Sequence, residues 1–249
     1  NLTNTVKLRE ELEDNGALFQ TTMDSEIIVH LLAHSKKKDL QGIVIEALSK
    51  LEGAYSLALM FNDILIGARD VFGWRPLCLG KLDGAYILAS ETCALDLIGA
   101  KYIRDIAPGE VVFIYKDRLE SVMPFKKSAC AFCIFEYIYF ARPDSNIFQH
   151  NVYLTRKRLG AQLATEFGVQ ADLVMPIPDS GVFAALGFAE TSKIPFEFGM
   201  IRNHYIGRTF IQPTQDLRDF RVRIKLNPLK EVLNGKKIII VEDSIVRGT

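Results

Sequence analysis

Apolar positions change their spacing along the chain. Over residues 1–50 they recur at helical intervals. Ile27, Ile28, Leu31 and Leu32 form one stripe behind Asp24, which the pattern makes the helix N-cap. Leu40, Ile43, Val44, Ala47, Leu48 and Leu51 form a second amphipathic stripe over residues 39–51. From Ala54 the pattern breaks into short apolar runs: Ala54–Met60, Ile64–Ala68, Pro76–Leu79, Ala85–Ala89 and Val111–Tyr115. Asn62-Asp63 and Asp83-Gly84 punctuate them as hairpin turns, and a short helix is expected near Thr92–Ile98. The first half therefore predicts helices packed on antiparallel sheet.

The second half alternates differently. A helix is expected over His150–Phe167, with Leu159, Leu163 and Phe167 on one face, followed by a strand at Asp172–Met175. The turn Pro178-Asp179-Ser180-Gly181 leads into a helix through Glu190, and a strand follows near Pro195–Phe198. A long polar stretch, Arg202 to Asn227, separates these from a last strand, Lys237–Val241. Strand–helix–strand alternation predicts a parallel α/β sheet with ligands at the carboxyl ends of its strands. Pro124, Lys126 and Lys127 interrupt the apolar pattern between Val122 and Ser128, which divides the chain into domains 1–126 and 127–249.

Composition narrows the function classes. Thirty basic and thirty acidic residues among 249 give zero formal charge, which argues against a dedicated nucleic-acid binder. The longest apolar run, Ala129 to Phe135, is far too short for a membrane span. Four cysteines (Cys78, Cys93, Cys130, Cys133) make no disulfide framework, so the expected home is a reducing cytoplasm, or a plastid in a plant. Lys7, Arg9, Glu10 and Glu11 exclude a signal-peptide apolar region, and the absence of a starting Met suggests a fragment. The chain also stops at Thr249, inside what reads as a phosphate loop.

The chemistry is concentrated after the last strand. Ile238-Ile239-Ile240-Val241 ends in two adjacent carboxylates, Glu242 and Asp243, and the loop Ser244-Ile245-Val246-Arg247-Gly248-Thr249 follows. Two acids at a strand end can accept hydrogen bonds from a vicinal diol such as a ribose. The small residues beyond them expose N–H groups and hydroxyls suited to a phosphate. The alternative is a strand that simply ends in solvated acids. Pro178-Asp179-Ser180-Gly181, at another strand-to-helix junction, could likewise face a pyrophosphate or form a plain turn. Six basic residues (Arg202, Arg208, Arg218, Arg221, Arg223, Lys225) against two acids (Asp216, Asp219) give the polar stretch a local positive field. It reads as a lid over an anion, or as a solvated basic loop.

The strand-end segment resembles the phosphoribosyl-pyrophosphate (PRPP) signature of type I phosphoribosyltransferases. The chain as a whole resembles the amidophosphoribosyltransferase family. The strings that carry the likeness are Thr22 to Glu26, Leu51 to Ser56, Arg75-Pro76-Leu77, Ala89 to Thr92, Glu136 to Asn146 and Tyr205 to Pro213. One departure is Glu242, where the family usually has Asp. The resemblance implies an α+β glutaminase domain of the N-terminal-nucleophile (Ntn) hydrolase type, followed by an α/β phosphoribosyltransferase domain. Each would be incomplete.

Further roles come from the resemblance alone. PRPP would be held by Ser180, Arg208, Glu242, Asp243 and Ser244 to Thr249, with Mg²⁺ at Ser180, Glu242 and Asp243. Asp24 would hold the α-amino group of glutamine, although it could equally be a helix cap only. The family's nucleophilic N-terminal Cys is not in this sequence, and none of the four cysteines present replaces it, so no glutaminase activity is expected of these residues alone. Cys133 falls where some members place the first ligand of a [4Fe–4S] cluster, and it could also be an ordinary buried thiol. The implied reaction converts PRPP, glutamine and water to 5-phosphoribosylamine, glutamate and pyrophosphate, the first step of purine synthesis. A homo-oligomer inhibited by purine nucleotides would fit. The competing reading is a regulator that senses PRPP without turning it over, although such a protein would not need the glutaminase-like strings.

Overall fold

The computed structural model describes residues 1–126, 128–203, 205 and 224–245. The chain forms two compact units, Asn1–Ile134 and Phe135–Thr249.

The first unit is layered. Helices α1 (Thr5–Asp14), α2 (Asp24–Ala33) and α3 (Leu40–Ser49) come first, and Asp39 caps α3 by accepting the Gly42 N–H at 2.8 Å. An antiparallel sheet of order β1-β2-β6-β7 follows, made of Ser56–Phe61, Ile64–Arg69, Val111–Ile114 and Leu119–Val122. A second antiparallel sheet has the order β4-β3-β5, from Ala85–Ala89, Cys78–Leu82 and Lys101–Asp105. The side chains of β6 show how the layers stack. Val111 and Phe113 pack with Val44 and Leu48 of α3, whereas Val112 packs with Leu79 of β3. The far face of the second sheet is covered by α4 (Thr92–Leu97), whose Leu95 packs on Cys78. The result is helix, sheet, sheet, helix. It agrees with the expectation of helices packed on antiparallel sheet and adds the second sheet layer, since β6 is buried on both faces and its run Val-Val-Phe-Ile is apolar throughout.

Hairpin chemistry follows the sequence. Asp83 and Gly84 both have positive φ (47° and 89°), joining Leu82 and Ala85 by the two-residue turn that matches strand twist. Asp24 behaves otherwise than expected. It is the first residue of α2, Met23 holds the cap position, and no side chain caps the helix. The Asp24 carboxylate turns outward and accepts the Leu2 N–H at 3.4 Å. Strands β5 and β7 carry Lys-Tyr-Ile-Arg-Asp and Leu-Glu-Ser-Val, too polar to register as apolar runs.

The second unit begins with one π-helical turn, Glu136–Phe140, and a tight hairpin of β8 (Asn146–Ile147) and β9 (His150–Asn151). Helix α5 (Val152–Glu166) is capped by Asn151, which accepts the Leu154 N–H at 3.0 Å. Its expected apolar face is the outer one. Leu159, Leu163 and Phe167 are 43%, 40% and 59% exposed, whereas Val152, Arg156 and Gly160 are buried. Glycine explains the reversal. A Cβ on Gly160 would lie 1.8 Å from the Ala184 carbonyl oxygen of α6 (Val182–Ser192), and one on Gly187 would lie 1.8 Å from that of Lys157. Two bare backbones therefore meet, and side-chain periodicity carries no record of such contact.

β10 (Leu173–Pro176) pairs in parallel with β13 (Ile238–Val241). The expected strand near Pro195–Phe198 is reduced to one parallel bridge, Val174 to Phe196. Ala185, Phe188 and Ala189 of α6 pack on Val174 and Val241. The antiparallel pair β11 (Met200–Arg202) and β12 (Leu226–Pro228) precedes α7 (Lys230–Leu233). Among the described residues, no helix is long and apolar enough to cross a membrane.

Candidate functional site

The C-terminal ends of β10 and β13 bring together residues sixty-two positions apart in sequence. The Ser180 hydroxyl donates to Glu242 Oε1 at 3.4 Å, a long contact, and the Asp243 N–H donates to the same oxygen at 3.0 Å. The Ser244 hydroxyl donates to Asp243 Oδ1 at 2.6 Å. Asp243 Oδ2 is buried and lacks a partner among the described residues. A buried acceptor in that state favours an incoming donor or cation strongly. Burial raises the Glu242 pKa above the usual carboxylate value; the Asp243 N–H opposes this and the Asp243 charge adds to it.

The strand end is packed too tightly for a side chain at position 181. The Ile177 N–H donates to the Val241 carbonyl at 3.0 Å, and a Cβ on Gly181 would stand 2.3 Å from that same oxygen. Glycine is thus what lets the Pro178–Gly181 turn lie against the end of β13. Asp179 in that turn is ion-paired with Arg202 of β11, a contact the sequence does not announce because the two lie on different elements. Ile245 is 92% exposed. Arg208, Arg218, Arg221, Arg223, Val246, Arg247, Gly248 and Thr249 lie outside the described residues, as do Asp216 and Asp219.

A separate site is built around Asp24 in the first unit. The opening residues run beside 52–54: Thr3 N–H donates to the Glu52 carbonyl at 2.8 Å and Ala54 N–H to that of Asn1 at 3.0 Å. Gly53, at φ 115°, permits this approach, since a Cβ there would meet Asn1 O at 2.6 Å. Asp24 faces this segment through the Leu2 N–H. Two residues further on, the Glu26 carboxylate reaches back to accept the N–H groups of Gln20 and Thr21. Cys133 is half-buried, its N–H donating to the Trp74 carbonyl at 3.1 Å, and Cys130 is exposed. Among the described residues, no three or more His, Cys, Asp or Glu side chains gather into a metal-binding group.

Residues 1–97 match the model of a glutamine amidotransferase domain family. The whole chain is 49% identical to amidophosphoribosyltransferase 1 (chloroplastic) of Arabidopsis thaliana, covering 44% of it. It is also 49% identical, over its full length, to the amidophosphoribosyltransferase of Rhizobium etli, covering 51% of that protein. The chain is thus similar along its whole length to amidophosphoribosyltransferases. A solved Bacillus subtilis glutamine PRPP amidotransferase, complexed with ADP and GMP, superposes with a TM-score of 0.93 at 46% identity, over 100% of this chain and 55% of that one. The chain thus spans about half the length of the amidophosphoribosyltransferases it matches.

Proposed function

We propose that this chain contributes to a glutamine-dependent amidophosphoribosyltransferase. Its first unit would be an Ntn-type glutaminase domain and its second a phosphoribosyltransferase domain. The observation that carries the reading is the meeting of Ser180, Glu242 and Asp243 at the ends of two parallel strands, with a buried carboxylate oxygen unpartnered among the described residues. Such a site suits a ribose 5-phosphate bearing pyrophosphate. The carboxylates accept the ribose hydroxyls, and the Pro178–Gly181 turn faces the leaving group.

The nitrogen of ammonia attacks the anomeric carbon as the bond to the pyrophosphate oxygen breaks. Pyrophosphate departs with the electron pair, and the amine loses a proton to solvent. The cationic lid read from Arg202 to Lys225 would exclude water from the cation-like sugar and balance the charge on the departing group.

The donors at this site are all oxygens, which suits Mg²⁺. Ser180, Glu242 and Asp243 would hold it, and when bound it neutralises charge on the leaving pyrophosphate. A [4Fe–4S] cluster at Cys133 is also part of the proposal. It needs four thiolates, and the described residues gather no such set, so no step is derived through it. The complete gene product is expected to contain iron that Cys133→Ser removes; unchanged iron content takes Cys133 out of the ligand set. Regulation by purine nucleotides, self-association and residence in cytoplasm or plastid belong to the same proposal. The nucleotides in the Bacillus subtilis complex support the first of these, and the chloroplastic naming of the Arabidopsis relative supports a plastid.

Glutamine would be held in the first unit by Asp24, whose carboxylate is not spent on capping α2. In the complete gene product, Asp24→Ala should raise the glutamine requirement by roughly tenfold or more, the worth of one hydrogen bond to a charged group. Ammonia-supported pyrophosphate release from PRPP should be unaffected. Parallel loss of both activities would assign Asp24 a structural role and remove the glutaminase reading from this segment.

A further inference from the structure

The turn that delivers Asp24 is held by one carboxylate two residues further on. Glu26 Oε1 accepts the Gln20 N–H at 2.7 Å, and Oε2 accepts the Thr21 N–H at 2.8 Å and the Thr21 hydroxyl at 2.6 Å. The Thr21 hydroxyl in turn accepts the Met23 N–H at 3.2 Å, so one relay runs from Glu26 through Thr21 to the residue immediately before Asp24. From the other side Arg9 of α1 donates to the Thr21 carbonyl at 2.6 Å, and its guanidinium lies over the Phe19 ring. His30, one turn along α2, sits 3.8 Å from Glu26 Oε1 and packs against Phe19 with the rings tilted at 53° and their centroids 4.3 Å apart.

This arrangement departs from ordinary capping. A Glu at the third helical position usually returns to the N–H of the cap residue, here Met23. Glu26 passes that N–H by and binds the chain two and three residues earlier. The first turn of α2 therefore lacks side-chain caps, and its acidic residues serve other ends: Asp24 points away from the helix and Glu26 ties down the approach. The helix gains nothing from this arrangement that an ordinary capping box would not supply. The Asp24 carboxylate gains a fixed direction.

We propose that Glu26 is a positioning residue for glutamine, setting the direction of the Asp24 carboxylate by holding the Gln20–Met23 turn. The inference rests on the glutaminase reading of the first unit and goes beyond it by naming what orients the amine-binding carboxylate. The hydrogen bonds from the Gln20 N–H and the Thr21 hydroxyl also hold the Glu26 pKa down to about 2, in keeping with an acceptor-only carboxylate bound by several donors.

The test is a double-mutant cycle on glutamine KM in the complete gene product, with ammonia-supported turnover of the same preparations as the folding control. Glu26→Gln nearly preserves volume but sets an amide NH₂ against donors, so it should raise glutamine KM on the order of tenfold. Thr21→Val, which cuts the relay at its middle, should shift KM in the same direction and by less. Because Glu26 acts through Asp24, the double variant Asp24→Ala with Glu26→Gln should be no worse than Asp24→Ala alone. Additive losses, or an unchanged KM in Glu26→Gln beside a wild type that uses glutamine, would overturn the inference. A wild type that binds and hydrolyses no glutamine would instead sink the glutaminase reading, and the inference with it.

Discussion

Asp243→Asn should lower ammonia-dependent pyrophosphate release by roughly 10- to 150-fold, the kinetic equivalent of roughly 1.5–3 kcal/mol for a hydrogen bond to a charged group. The Asp243 carboxylate has one oxygen engaged by Ser244 and the other buried without a partner among the described residues. The amide keeps the shape and loses the charge. Its NH₂ would occupy one of these two positions, where it cannot accept a hydrogen bond from Ser244 or an incoming donor. Glu242→Asp should be mild by contrast, since the shorter acid is the family's usual residue at that position. The two variants are compared by phosphate assay of pyrophosphate after enzymatic cleavage. Wild-type turnover in Asp243→Asn would leave the strand-end acids as surface groups.

Gly181→Ala should be nearly as damaging, through shape and not charge. The added methyl would lie 2.3 Å from the Val241 carbonyl oxygen, so either the Pro178–Gly181 turn or the end of β13 must move. Overpacking of this kind costs roughly 1–3 kcal/mol, which should appear as a lower midpoint in urea. The displaced pieces carry Ser180 on one side and Glu242 with Asp243 on the other. PRPP affinity should therefore fall by more than the stability loss explains, measured under conditions where the variant is fully folded. A variant with unchanged PRPP affinity would show that the turn and the strand end act independently.

The strand-end site was readable because its residues are chemically unusual for their place. Two acids directly after an apolar strand, with small and hydroxyl-bearing residues beyond, have few structural reasons to be there. Their meeting with Ser180 followed once strand–helix–strand alternation implied parallel neighbours, and β10 and β13 are such a pair. Asp24 was readable as an important acid but was assigned the wrong local duty, because Asp just before an apolar stripe looks like a cap. In the fold Met23 holds the cap position and Glu26 reaches past it.

Other features left no trace in apolar periodicity. The buried face of α5 is Val152, Arg156 and Gly160, and its contact with α6 is made by glycines, whereas the leucines that define its apparent stripe are outside. Arg156 is buried because Nε and Nη2 donate to the carbonyls of Tyr137 and Ala141 at 2.6 and 2.9 Å. In the first unit Arg69 is 2% exposed for the same reason, donating to the carbonyls of Arg75, Ile106 and Gly73. A buried cation bound to backbone oxygens looks in sequence like any surface arginine. β5 and β7 were missed because edge strands carry polar residues on their open sides, and both lie at the edges of their sheets.

In the proposed reaction the two units act together, with glutamine nitrogen used at a PRPP site. It is tested most directly by pyrophosphate release from PRPP in the complete gene product with Mg²⁺, comparing no nitrogen source, ammonia and glutamine. Release is expected with ammonia and with glutamine, little without either, and loss of the glutamine-supported rate alone in Asp24→Ala. PRPP binding with no pyrophosphate release under any nitrogen source would contradict it and would favour a protein that senses PRPP without consuming it.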